Sequence, residues 1–304
     1  MKYLKAVFFL FRDALGEYFR DRATIYAAGL AYYTVFSIAP LLVFTTAIAG
    51  RFIGRSAAGE QITLQLQYLV GPELADFLGT VVATLTDRTT NTTAAILSIG
   101  VLLWTAGGIF NQLKTTLNLL WGLADVRPRN AREWRVLIRY RAIPFMMVFV
   151  FGLLLSLSVM LDALLLAVSS RFEVLFPDVA VVLPGLGRLI IPVLTFITFL
   201  LIFKFFPNAY SRTRDVAVGA AVTTLLFILG RYLLLFFLSL TDTGSLYGAA
   251  GSIVILLVWV YFSAQILLFG AEFTLVYARR HGVPIRPNRL ARWLVVEEEA
   301  TTDR

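Results

Sequence analysis

The chain has 304 residues, of which 59% are apolar and 15% charged, with a formal net charge of +8. A soluble globular chain is nearer half apolar and a quarter charged, so this composition excludes an ordinary soluble domain and points to a polytopic membrane protein. With no cysteine and a single histidine, His281, the sequence excludes disulfides, thiolate chemistry and a cysteine metal site.

The chain opens on "KYLKAVFFLFRDALGEYFRDR", which places Leu4, Phe8, Phe11, Leu15 and Tyr18 at helical spacing and Lys5, Arg12 and Glu17 elsewhere on the circumference. Over residues 1–24 this predicts an amphipathic helix, lying in the headgroup region or docked on the end of a bundle. The basic, aromatic start lacks the short apolar core and small-residue cleavage site of a signal peptide.

Six apolar runs follow, at about 27–50, 93–113, 142–168, 180–203, 216–240 and 249–277. Each is long enough to cross a bilayer core of about 30 Å as a helix. Pro40, Pro184 and Pro192 fall inside runs and are predicted to kink rather than end them. Between the first two runs, residues 51–92 hold "EQITLQLQYLV" and "ELADFLGTVVATL", separated by Gly71 and Pro72. They read as two short amphipathic helices capping one face of the bundle, as a cover for a cavity or simply as a packed lid. Asn91-Thr92-Thr93 matches a glycosylation sequon, a pattern too short to weigh much at the edge of a span.

Charge sets the orientation. Of the 27 Lys and Arg residues, 21 fall in the N-terminal segment, loop 114–141, loop 204–214 and the C-terminal tail. Arg51, Arg55, Arg88 and Arg171 lie on the other side, and Arg188 and Arg231 within runs. The positive-inside rule then puts both termini in the cytoplasm, and an even number of spans agrees with their lying on one side. Topology accounts for the net charge, and no nucleic-acid partner is expected. The expected fold is an all-α six-span domain over residues 1–285, with a basic cytoplasmic loop at 114–141 and a tail at 286–304 without fixed structure.

Four ionisable residues stand inside the runs: Asp162, Arg188, Arg231 and Glu272. At a rise of about 1.5 Å per residue, Arg231 lies about 13 Å and Asp162 about 9 Å from the outer end of their spans. Arg188 enters from the same side. An outer cluster of Arg231, Asp162 and Arg188 is expected, either as a buried ion pair fixing helix packing or as a substrate site. Two arginines against one aspartate leave a positive excess that is costly unless water or an anion reaches it, and arginine holds phosphate or carboxylate bidentately.

Glu272, about 10 Å from the inner face, is a candidate coupling or inner-gate residue together with Gln265, Asn111 and Lys114. The alternative is pairing of Glu272 with Lys204, Lys114 or Arg139, with Gln112 and Asn118 bonding neighbouring helices. Gly107, Gly108, Gly244, Gly248 and Gly251 are expected to allow close helix packing or, with Pro40, to form a hinge. "PGLGR" at 184–188 has neither a preceding strand nor a third glycine, so it is no dinucleotide loop, and no Walker sequence occurs. No nucleophile or acid/base constellation stands out, so neither an enzyme, a cofactor nor a metal site is expected.

Three segments carry a family resemblance: "AAGLAYYTVFSIAPLLV" from Ala27, "LWTAGGIFNQLKTTLNLLWG" from Leu103 and "GSLYGAAGSIVILLVWVYFSAQILLFGAEFTLVYARR" from Gly244. In order, spacing and topology the chain from about residue 5 to 285 resembles the YihY/BrkB family of six-span bacterial inner-membrane proteins. The resemblance implies an envelope role, with virulence-associated serum resistance in the family name and lipid or lipopolysaccharide export for some members. The family has also carried a ribonuclease label. One histidine and no cysteine do not build the metal cluster that such hydrolysis needs. The function expected from residues and resemblance together is a transporter or flippase of an anionic amphiphile, with membrane lipids and their anionic headgroups as partners. A non-transporting scaffold or envelope assembly factor is the alternative, and a homo-oligomer of unspecified state is left open.

Overall fold

The computed structural model describes residues 2–87, 108–125, 146, 150, 153–154, 156–161, 164, 183–240, 251–281, 284–289 and 291–294. The described chain is mostly helical. The helices are α1 (Lys2–Arg20), α2 (Ala23–Ile53), α3 (Arg55–Val70), α4 (Pro72–Asp87), α5 (108–120), α6 (Leu183–Phe205), α7 (Thr213–Leu240) and α8 (Gly251–Arg280). Thr213–Phe237 of α7 and Gly251–Arg280 of α8 are long and apolar enough to cross a bilayer. α2 makes a third candidate span, bent by 44° between Ile38 and Leu41. The bend falls where Pro40 has no amide to donate to the preceding turn. The runs predicted at 93–113 and 142–168 lie largely outside the described residues.

Helix α8 is the central element, packed against α7, α2 and α1. Its crossing with α7 is set by two matched small-residue patterns. Gly219 faces Thr274, Gly270 faces Thr223, and a β-carbon added at either glycine would overlap the opposing threonine. Each threonine hydroxyl donates to the carbonyl one turn back on its own helix, Thr223 to Gly219 at 2.7 Å and Thr274 to Gly270 at 2.7 Å. The polar atoms are thus satisfied within each helix, while the missing side chains let the backbones approach.

At one end of the bundle, α3 and α4 form a helical pair whose Ile62, Leu66, Leu74 and Leu78 bury against α2 and the first turns of α8. Gly54 and Gly71, both with φ of 88°, end α2 and α3. These are backbone conformations that a residue with a β-carbon rarely adopts. At the opposite end, the core is built on Trp121, Phe203, Phe206 and Leu268, and the Trp121 indole donates to the Ala271 carbonyl at 3.2 Å.

That second end departs from the expected all-α fold and unstructured tail. β1 (Leu123–Asp125) pairs antiparallel with β4 (Ala291–Trp293), and β2 (Ala209–Tyr210) pairs antiparallel with β3 (Arg286–Pro287). Residues 286–294, the start of the predicted tail, are therefore fixed structure. Ile285 and Ala291 are buried, and the Leu294 amide donates to the Gly122 carbonyl at 2.8 Å. Two apolar anchors and backbone pairing to loops already held by the helices suffice to order the segment.

Helix α1 lies along α8 through a face that includes part of the predicted stripe. Leu10, Ala14 and Tyr18 are buried, and Phe11 packs on Phe269 and Phe273 with centroids 5.9 and 5.1 Å apart. Phe8 and Leu15, also on the predicted stripe, are exposed. Ala14 is fully buried in this contact, in one cluster with Leu10, Phe273 and Val276. Arg280 bonds Asp13, and Arg279 meets Glu17 at 3.3 Å.

Candidate functional site

The intramembrane arginine of the sequence, Arg231, stands on α7 in the half nearest α3 and α4. It is buried, with 6% of its surface exposed. One guanidinium nitrogen donates to the main-chain carbonyl of Tyr68. The guanidinium carbon lies 3.9 Å from the centroid of the Tyr68 ring and 4.4 Å from that of Tyr232.

The local fold explains why a carbonyl fills this role. Tyr68 is in the last turn of α3, whose carbonyls have no partner further along the helix. The Gly71 amide takes the Gln67 carbonyl at 3.1 Å, leaving that of Tyr68 for Arg231. The cation therefore sits at the negative end of the α3 dipole, with an aromatic face on each side. The ion pairs among the described residues belong to Arg12, Arg20, Arg279 and Arg280, and none reaches Arg231.

Two shallow grooves meet at the guanidinium. One runs between α7 and α8, lined by Phe227, Leu234, Trp259, Phe262, Ser263 and Ile266. The other is lined by Tyr68, Ile191, Pro192, Thr195, Phe227 and Ile228, between α3, α6 and α7. Apart from Arg231 both walls are almost wholly apolar. Chemically, this is a fixed cation where two narrow, largely apolar clefts meet, with room for about one water molecule at most.

Of the cluster expected around it, Asp162 lies outside the described residues. Arg188 is on α6, about one turn before Ile191 and Pro192, which line the second groove; its side chain is outside the described residues. The structure thus brings Tyr68 and Tyr232 to Arg231, neither of which the sequence singled out.

The inner-gate candidates divide. Glu272 is fully buried on α8, and neither carboxylate oxygen has a hydrogen-bond partner among the described residues. The charged groups facing it are Asp21 and Arg20, at the junction of α1 with α2, and Arg279, about two turns further along α8. Lys204, expected as a partner, instead donates to the Ser211 carbonyl at 2.6 Å, and Arg139 lies outside the described residues. Lys114 is buried on α5, Asn111 is exposed and Gln265 is half-buried. Asn118 accepts from the Asn208 amide at 2.7 Å, which joins α5 to the β2 segment. Tyr18, close to Phe269, has a buried hydroxyl without a partner among the described residues, and burial pushes its pKa up to about 12.

Among the glycines, Gly108 faces the Tyr33 ring and Gly251 is the buried first residue of α8. Gly107, Gly244 and Gly248 lie outside the described residues. The tightest approaches are at Gly219 and Gly270, which sequence reasoning passed over. The signal was present: Gly219 and Thr223, like Gly270 and Thr274, form a small-residue pattern four apart.

A family model described as virulence factor BrkB matches residues 14–292. A UPF0761 membrane protein of Aeromonas salmonicida is 28% identical over 259 residues, covering 84% of this chain and 83% of its own length. A second, from Alteromonas mediterranea, is 26% identical over 274 residues, covering 86% and 87%. A third, from Vibrio campbellii, is 27% identical over 281 residues, covering 89% and 82%. No solved structure matches the chain. With nearly its whole length matched, the chain belongs to the virulence factor BrkB family, whose UPF0761 relatives are named membrane proteins.

Proposed function

We propose that this protein is a six-span carrier or flippase of the bacterial inner membrane, with both termini cytoplasmic, that moves an anionic amphiphile such as a lipid or glycolipid. The observation that carries the reading is Arg231: a buried cation without a carboxylate partner among the described residues, opening on two apolar grooves. An anionic headgroup completes the charge balance there, while acyl chains follow the Phe, Leu and Ile walls. The Tyr68 carbonyl and the two tyrosine rings stabilise the guanidinium when no anion is bound, without neutralising it.

The distribution of Lys and Arg supports the orientation, and the exposed Phe8, Leu15 and Phe19 of α1 support its placement at headgroup level. Asp162 and Arg188 are assigned to the same outer site. Glu272 with Gln265, Asn111 and Lys114 is assigned to an inner gate or coupling site. The test is movement of a fluorescent phosphatidylglycerol, with phosphatidylcholine as control, in proteoliposomes of the unaltered chain, Arg231→Gln and Asp162→Asn. Translocation of the anionic lipid that the first substitution abolishes in a folded protein supports the reading. Absence of translocation of any lipid by the unaltered chain removes it.

A further inference from the structure

The sheet end of the molecule presents a second group of arginines, remote from the Arg231 grooves. Arg286, Arg289 and Arg292 recur every third residue along β3, the intervening turn and β4, and all three are exposed. None has a carboxylate partner among the described residues. Arg212 and Arg214, at the start of α7, are also exposed and flank the same cap.

The arginines ride on a fixed support. Tyr210 pairs with Arg286 across β2 and β3, and Trp293 with Leu123 across β1 and β4. Main-chain bonds run from the Asn288 amide to the Asn208 carbonyl at 3.0 Å and from the Leu294 amide to the Gly122 carbonyl at 2.8 Å. The cap is thereby tied to the ends of α5, α6 and α8. Interleaved with the cations are exposed apolar side chains: Tyr210 at 61%, Trp293 at 47% and Leu294 at 42%.

We propose that this cap binds the phosphate headgroups of anionic phospholipids in the adjacent leaflet, with Arg286, Arg289 and Arg292 as phosphate ligands and Tyr210 and Trp293 as interfacial anchors. Basic residues next to the end of a spanning helix attract anionic lipid, and arginine grips a phosphodiester through two parallel N–H donors. The aromatic residues choose lipid over a water-borne polyanion. Tyr and Trp sit favourably at headgroup level, whereas an acidic protein or nucleic acid would have to cover them with apolar surface of its own. The inference stands whether or not Arg231 moves lipid.

The experiment counts phosphatidylglycerol against phosphatidylcholine retained by the purified protein from equimolar nanodiscs, by native mass spectrometry. Both chains compared carry Arg231→Gln, so the groove contributes to neither. At roughly fivefold per basic residue near an anionic surface, three arginines give at most about a hundredfold preference. The preference is expected to fall at least tenfold with Arg286→Gln, Arg289→Gln and Arg292→Gln combined, and to return largely with lysine at the three positions. An unchanged preference in the glutamine variant overturns the proposal, as does equal retention of the two lipids by the parent chain. Should the glutamine variant not fold, a salt series on the parent decides: the preference must shrink towards 1 M salt, where screening acts within about 3 Å, and a salt-independent preference overturns the proposal.

Discussion

The two ends of the bundle handle charge in opposite ways. At the α3–α4 end, a single arginine is buried and held by a carbonyl and two aromatic rings. At the sheet end, Arg279 and Arg280 are paired with Glu17 and Asp13 on the surface, and further arginines stand exposed. Exposed ion pairs of this kind contribute about 0–1 kcal/mol each, because water screens them and both side chains lose freedom. A buried cation has no such indifference: it needs a partner, and one that leaves its charge in place keeps it ready for an anion. The comparison teaches that the site to test is where charge is scarce and buried, because there a missing partner is costly, whereas the abundant charge of the other end is exposed to solvent or paired at the surface.

That contrast can be broken at four points. The largest effect is expected from Arg231→Gln, which should abolish transport of anionic lipid in proteoliposomes with little change in helicity by circular dichroism. Arg231→Lys should retain only part of the rate, since an ammonium offers a point charge without the bidentate fork. Next comes the crossing that holds α7 against α8. Gly219→Leu or Gly270→Leu forces the helices apart and should lower stability by about 2–3 kcal/mol, read as a fall in Tm in detergent. Either substitution leaving Tm unchanged would contradict the close approach of Gly219 to Thr274 and Gly270 to Thr223.

Tyr68→Ala keeps the carbonyl that Arg231 bonds but removes one ring. With a cation–π contact of about 1 kcal/mol, the transport rate should fall about fivefold. The smallest effect concerns the docking of α1. The Arg280 guanidinium first, and that of Arg12 second, hold the Asp13 carboxyl below the usual carboxylate range. A carboxyl depressed on docking contributes fully above its undocked value near about 4, and the contribution is lost as pH falls through the lower docked value. Once exchange is corrected for its intrinsic pH dependence, the protection of amides 2–20 should therefore fall at pH 3 relative to pH 6, and Asp13→Asn should lower the protection at pH 6 towards the pH 3 level.

Much of the fold was legible because long apolar periodicity is a strong signal. The runs predicted at 180–203, 216–240 and 249–277 appear as α6, α7 and α8, with ends displaced by a few residues. The break at Gly71 and Pro72 between α3 and α4 was equally plain. The sheets were not, because strands of two or three residues carry no periodicity, and their pairing joins segments such as Leu123 and Trp293 that are remote in the chain. For α1 the periodicity gave the helix but not which of its residues pack: Phe11 and Tyr18 of the stripe meet α8, together with Leu10 and Ala14, which lie beside the stripe.

At the candidate site, Arg231 announced itself as a charge in an apolar run. Its partners did not. Tyr68 acts through a main-chain carbonyl that every residue possesses, 163 positions away, and only the end of α3 selects it. The matched Gly219 and Gly270 were written in the sequence, but two patterns on separate helices become a contact only once the helices are known to cross.

The most direct test of the central claim is to trap the lipid in its groove. A photoactivatable phosphatidylglycerol, with the reactive group near the top of the acyl chain, is cross-linked to the unaltered protein in nanodiscs and its adducts are mapped by mass spectrometry. Adducts on Ile191, Phe227 and Ile228, beside Arg231, that disappear in Arg231→Gln and are absent with phosphatidylcholine are the predicted result. Adducts at these residues that persist in Arg231→Gln, or equal labelling by the neutral lipid, would contradict an anion site at Arg231.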